Sequence, residues 1–355
     1  MKRFVLAWLF RAAVILGLVA VGGALTVVLG IVPIKASSGH FRLTRWFLHF
    51  AKQQSVKTHS MRIEPPFSLD DPRQIQIGAG HYEGGCRPCH GAPGQPAPVL
   101  PQFMTPKAPE LSHAIEHYEP RHLFYLVRHG IKLTGMPAWP ASDREDEVWA
   151  VVAFLRKMPA GGEARYRELV FGEDAPTDAP AVVKRSCARC HGGDGLGRGA
   201  FPRLAAQREE YLRSSLEVYA RGERQSGIMR PLAASLSPAE LDAAVRWYTA
   251  RPAPPGRGAG SEEGRKLAEQ GVPARKIPAC IGCHGPRPEA IHRGYPRLAG
   301  QLPAYVEQQL ELFRKGVRGG GKYVDLMREV VDDHMLTPEE VRAVAQHFGS
   351  LSTDP

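Results

Sequence analysis

One pentapeptide occurs three times and uses every cysteine in the chain: Cys86-Arg87-Pro88-Cys89-His90, Cys187-Ala188-Arg189-Cys190-His191 and Cys280-Ile281-Gly282-Cys283-His284. C-x-x-C-H is the signature of covalent c-type haem attachment. Its two thiols can each form a thioether to one porphyrin vinyl group, while the adjacent histidine meets one face of the iron. A fold that accepts the motif must wrap around a flat, mostly apolar group, and this chain must do so three times. The expected cofactors are three covalently bound c-type haems with their iron, held by Cys86 and Cys89, Cys187 and Cys190, and Cys280 and Cys283, with His90, His191 and His284 as axial ligands.

A single C-x-x-C would also suit a zinc half-site or a thiol redox pair. Here each copy is followed by His-Gly, and no cysteine remains to complete a zinc site. Adjacent pairs also make poor disulfide staples for a chain of this size. The motifs lie 101 and 93 residues apart in 355, which predicts one small domain per motif. Domains of that size have a modest apolar core, so a buried porphyrin becomes part of it. The net charge of +10 comes with no nucleic-acid motif and with scattered basic residues, so no nucleic-acid partner is expected. The excess suits acidic redox partners or anionic lipid.

Between Arg11 and Lys35 lie 23 uncharged residues, 12–34. At about 1.5 Å per residue they span a hydrocarbon core of about 30 Å, whereas the apolar region of a secretory leader is only about 7–15 residues long. Residues 1–35 are therefore expected to be a cytoplasmic tail and transmembrane anchor. Because c-type haem is attached outside the bacterial cytoplasm, the expected location is the bacterial inner membrane, single-pass, with the haem domains in the periplasm. Residues 36–70 form a juxtamembrane segment and linker. There Leu43, Trp46, Phe47, Phe50 and Ala51 recur at helical spacing among Arg42, Arg45, Lys52 and Lys57. This helix either lies along the membrane surface or packs on the first haem domain, and Pro65-Pro66 ends it.

Residues 71–162, 163–252 and 253–355 repeat one plan: a short helix, C-x-x-C-H, a Pro-x-Leu loop, a methionine, a helix cap and an amphipathic helix. The Pro-x-Leu elements begin at Pro109, Pro202 and Pro296, and the caps are Ser142-x-x-Glu145, Ser237-x-x-Glu240 and Thr337-x-x-Glu340, each a capping box by pattern. The last helices carry apolar faces of Val148, Trp149, Val152 and Leu155, then Leu241, Val245 and Tyr248, then Val341, Val344 and Phe348. Each face is expected to pack against the helix that precedes its motif.

With these motifs residues 71–355 resemble class I cytochrome c. The fold class expected is all-α: one N-terminal transmembrane helix followed by three tandem class I cytochrome c domains. The family holds its iron between the motif histidine and a downstream methionine, whose soft sulfur favours ferrous iron. The resemblance implies Met136, in Thr134-Gly135-Met136-Pro137-Ala138-Trp139, for the first iron, with Met104 as the alternative. It implies Met229 for the second, the only methionine between that domain's Pro-x-Leu and its cap. For the third it implies Met327, which opens Met327-Arg328 as Met229 opens Met229-Arg230; the alternative, Met335, lies two residues before its cap. The family also bonds the motif histidine through Nδ1 to the carbonyl of the Pro-x-Leu proline. His81, His113, His117, His122, His129, His292, His334 and His347 recur at no equivalent position in all three domains, so bis-histidine ligation is not expected. Residues 165–355 resemble dihaem c-four-type cytochromes, with Tyr211 and Tyr305 at similar distances after Pro-x-Leu and a stiff linker over 251–256.

The function implied is a membrane-anchored periplasmic tri-haem cytochrome that passes single electrons between a respiratory donor and an acceptor such as a terminal oxidase. Six-coordinate iron leaves no open position for substrate, so no catalytic residue is expected. The partners implied are the membrane and periplasmic or membrane redox proteins: a dehydrogenase, a bc-type complex or a terminal oxidase. Two alternatives stand beside this reading. The chain is the cytochrome subunit of a membrane-bound dehydrogenase complex, or it is a haem enzyme working at the third haem, where Asp332, Asp333 and His334 would supply acid and base. A cysteine-ligated catalytic haem is excluded, because all six cysteines are committed.

Overall fold

The computed structural model describes residues 2–32, 34–171, 175–199, 201–252, 255–285, 292–331 and 336–352. These residues form helices and loops, and the β pairing among them is limited to isolated bridges such as Ala92 with Gln95. The first helix runs Lys2–Val28, and its apolar stretch Phe4–Val28 is long enough to cross a membrane and packs on nothing. It begins and ends earlier than the 12–34 segment expected, taking in Arg11 and stopping before Gly30, whose φ of +63° leaves the helical region.

The helix Arg42–His59 meets the packing reading of the juxtamembrane segment with its C-terminal half alone. Its N-terminal half exposes Leu43, Trp46, Phe47 and Phe50. Its C-terminal half docks on the first haem domain: Val56 is buried, Gln53 Nε2 donates to the Tyr118 hydroxyl at 3.1 Å, and His59 stacks on Tyr125.

Three apolar clusters follow, one around each motif. In the first, the lead helix Pro72–His81 starts at Asp71, whose side chain accepts from Arg73 N at 2.9 Å, with Pro72 pre-set for the first turn. It crosses the closing helix Glu145–Val170 so closely that a Cβ on Gly78 would lie 1.9 Å from the Ala150 carbonyl oxygen. The third domain repeats this crossing with Glu262–Gln270 on Pro338–Ser350, where a Cβ on Gly264 would lie 2.0 Å from Ala343 O. In the middle domain Ala179, Val182 and Val183 pack against Val245 and Tyr248 of the closing helix Pro238–Thr249. The expected inward faces are buried in all three domains, apart from Leu241, which is half-buried at the edge of the middle core. Helices Pro120–His129, Glu209–Ala220 and Pro303–Arg314 complete the walls.

Two of the three capping boxes form. Ser237 with Glu240 and Thr337 with Glu340 each exchange side-chain and backbone bonds. The Ser142 box does not: the helix begins only at Glu145, with Arg144 at the cap position, and the Ser142 hydroxyl turns to Asp143 at 3.1 Å. The Arg144 guanidinium is drawn to Asp146 at 2.8 Å and Glu147 at 2.9 Å, so charge pairing organises that first turn instead. The closing helix kinks at Gly162, and Tyr166 and Val170 join the first core beyond the boundary expected at residue 162. Ala253 and Pro254 of the expected linker lie outside the described residues.

Candidate haem-binding sites

Each motif forms one helical turn, Arg87–His90, Ala188–His191 and Ile281–His284. In the first two domains a wider π-turn leads into it, Tyr82–Cys86 and Val183–Cys187. The turn stops at Gly91 with φ +70°, where a Cβ would also come within 2.6 Å of Ala97 N. Tyr82 locks this exit by donating its hydroxyl to the Gly91 carbonyl at 2.7 Å, and Tyr248 does the same for Gly192 at 3.0 Å.

The three motif histidines share one hydrogen bond. Nδ1 of His90 lies 2.7 Å from the Pro109 carbonyl oxygen, that of His191 lies 3.0 Å from Pro202 O, and that of His284 lies 3.0 Å from Pro296 O. A carbonyl only accepts, so Nδ1 carries the proton and Nε2 presents its lone pair, the tautomer a metal ligand needs. Burial lowers the pKa of His191 and His284 and keeps these rings neutral. The expected proline contact is thus present in all three domains.

One continuous cavity of about 1090 Å³ joins the three motifs. All six cysteines, the three motif histidines and Met136, Met229 and Met327 line it. Met104 is not on its wall; its sulfur would lie 2.8 Å from a Cβ on Gly135, so it packs behind the Met136 loop. Met335 lies outside the described residues, as do Asp332, Asp333 and His334. Among the described histidines outside the motifs, His81 alone reaches the cavity. Burial pushes the thiols of Cys86 and Cys187 up to about 12 and those of Cys190 and Cys280 up to about 11. Among the described residues no three His, Cys, Asp or Glu side chains converge as a metal cage.

The residues present fit a haem in a further respect. Arg224 is buried and Arg318 half-buried on the cavity wall between the second and third domains, and neither pairs with a carboxylate among the described residues. Arg224 instead donates to the Tyr305 hydroxyl at 3.0 Å and to Gln309 at 2.8 Å, and Arg318 to the Tyr211 hydroxyl at 3.3 Å. Burial would raise the Tyr211 phenol, but Arg318 and Arg224 outweigh it and push it down to about 7. Such a wall calls for an anion, and a haem brings two carboxylates on a flat apolar ring. Tyr211 and Tyr305 stand out in the sequence more readily than these arginines. Their signal was available, since Gly222-Glu223-Arg224 and Gly316-Val317-Arg318 hold equivalent places after the two tyrosines.

The family model described as cytochrome c oxidase, cbb3-type, subunit III matches residues 73–155 and again 174–247. A thiosulfate dehydrogenase electron acceptor from Stutzerimonas stutzeri is 38% identical over 179 residues, covering 48% of this chain and 81% of that protein. Cytochrome c4 from Pseudomonas aeruginosa is 30% identical over 184 residues, covering 51% of this chain and 89% of that protein. A solved cytochrome c4 from Acidithiobacillus ferrooxidans is 33% identical and covers 46% of this chain and 98% of its own, with a TM-score of 0.41. Covalent haem, electron transfer and an all-α fold are common to this group, and the chain belongs to it: it is a class I c-type cytochrome of the kind that includes cytochrome c4.

Proposed function

We propose that this chain is a membrane-anchored periplasmic cytochrome with three haems, which takes single electrons from a dehydrogenase acting on a small sulfur anion and passes them toward a terminal oxidase. The observation that carries this reading is the single cavity lined by three sets of two cysteines, one histidine and one methionine. In each set the cysteines would hold the porphyrin edge, histidine Nε2 one face of the iron, and Met136, Met229 or Met327 the other. When bound, each haem supplies one-electron iron chemistry. The chain's own part is to fix ring orientation through the Pro109, Pro202 and Pro296 carbonyls, to exclude water with the apolar wall, and to balance the haem carboxylates with Arg224 and Arg318. The donor class follows from the name carried by the relative from Stutzerimonas stutzeri, an electron acceptor of thiosulfate dehydrogenase. The net charge of +10 suits an acidic partner. We take Phe4–Val28 as the retained anchor and close the first domain at Val170, followed by the second to residue 252 and the third to 355.

A pyridine haemochrome assay on the full-length protein should give three haems per chain. A thiosulfate-oxidising dehydrogenase with thiosulfate should reduce it, while thiosulfate alone should not. Failure of the mixture to reduce it removes that donor. Met327→Ala should let carbon monoxide bind the ferrous protein; an unchanged spectrum transfers the third ligand to Met335. The full-length protein should stay in the membrane pellet after a carbonate wash, and release into the wash would remove the anchor.

A further inference from the structure

The first two attachment turns are tied together by one acid. Glu83 lies three residues before Cys86 and is 6% exposed. Its Oε1 accepts from Arg87 Nη1 at 3.4 Å and from Arg189 Nη1 at 3.3 Å, and its Oε2 accepts from the Tyr166 hydroxyl. Arg87 is the residue after the first cysteine of the first motif, and Arg189 is the residue before the second cysteine of the second. The surroundings bring the same two sites together. A Cβ on Gly80 would lie 3.6 Å from Cys190 Sγ, and one on Gly84 would lie 3.2 Å from Ile228 Cδ1, beside Met229. Arg198 adds a clamp, donating from Nη1 to the carbonyls of Arg189 at 2.8 Å and Val170 at 3.3 Å.

We propose that Glu83 is a positioning residue for electron transfer between the first two haems: it makes their attachment turns one unit and lowers both reduction potentials together. The inference rests on the three-haem reading above. Its sign follows from charge. A carboxylate favours the more positive ferric state, so its loss raises a potential, and loss of a nearby guanidinium lowers it. The third domain meets the middle one through contacts of another kind, at Arg203 and Gln301.

The test is a spectropotentiometric titration of the full-length protein in detergent, with the three haems followed separately. Glu83→Gln should raise the potentials of haems 1 and 2 by at least about threefold in the reduction equilibrium constant, about 28 mV for a one-electron couple at 59 mV per decade. It should leave haem 3 in place. Arg189→Gln should move haem 2 the other way, and Glu83→Asp should stay nearest the wild type. A purely structural role for Glu83 gives no such reversal of sign. Shifts in the same direction for Glu83→Gln and Arg189→Gln, or none with three haems per chain, overturn the Glu83 proposal alone. A wild-type count below three haems overturns the reading beneath it. If Glu83→Gln fails to fold, Arg87→Gln and Arg189→Gln carry the test, with lowered potentials supporting the proposal and unchanged ones overturning it.

Discussion

Toward the third domain, the middle domain sets equivalent residues against each other. Gln301 accepts from Arg203 N at 2.9 Å and donates to Arg203 O at 3.0 Å, while Gln207 accepts from Arg297 N at 2.7 Å and donates to Arg297 O at 3.0 Å. Arg224 reaches Tyr305 and Arg318 reaches Tyr211 in the same reciprocal way. Toward the first domain the pairing is one-sided. Glu147, 3% exposed, accepts from Ser226 Oγ at 2.9 Å, Gly227 N at 2.6 Å and Trp139 Nε1 at 3.3 Å, and pairs with Arg144 at 2.9 Å. Glu83 holds Arg189 in the same fashion. The first contact has the logic of an isologous interface in its glutamine and tyrosine bonds, each of which is made twice. The second is heterologous and concentrates its energy in two buried acids, so single substitutions should separate the two faces.

The largest effect is expected from Glu147→Ala. It leaves three donors without their acceptor and the buried Arg144 paired with Asp146 alone, so denaturant unfolding should show a loss of about 3 kcal/mol. A loss under about 1 kcal/mol would remove Glu147 from the centre of that face. Gln207→Ala and Gln301→Ala should each cost about 1–3 kcal/mol, and by nearly equal amounts, since each deletes two cross-domain bonds. A gap between them wider than about 1 kcal/mol would break the symmetry argument.

The smallest effect is a pH dependence at the one-sided face. His81 is buried with its ring edge toward Trp139 and, among the described residues, no partner for Nδ1. Burial lowers its pKa, and Glu147 opposes the shift without reversing it. The unfolded chain therefore takes up the proton first as pH falls below about 6.5. The stability from the neutral ring is full above that pH and lost below it, by at most about 1.4 kcal/mol per pH unit. His81→Phe should flatten this slope between pH 6.5 and 5, and an identical slope would assign it elsewhere.

The repeated parts were legible because repetition carries its own control. The Pro-x-Leu elements at Pro109, Pro202 and Pro296, the Ser237 and Thr337 capping boxes and the inward faces of the closing helices all stand out from equivalent positions along the chain, while the bond from each motif histidine to its proline is implied by the family resemblance. Ser142-x-x-Glu145 matched the same pattern yet did not form, since Arg144 between them answers to Asp146 and Glu147, a competition the pattern does not include. Glu83 and Glu147 do not stand out in the sequence for the opposite reason, and His81 stands out only as one of eight histidines weighed as iron ligands. Each is unique to the first domain, and partners such as Arg189 and Ser226 belong to the next domain along the sequence. The juxtamembrane helix read two ways because its aromatic residues and its Gln53 and Val56 share one amphipathic pattern but face different surroundings.

The central claim is that the cavity holds three haems, each between a histidine and a methionine. The absorption spectrum of the oxidised full-length protein, scaled to a haem count on the same sample, tests it most directly. The account predicts three low-spin haems per chain and a far-red methionine-to-iron band of threefold intensity. Fewer haems, a high-spin fraction, or a band too weak for three methionine ligands would contradict it.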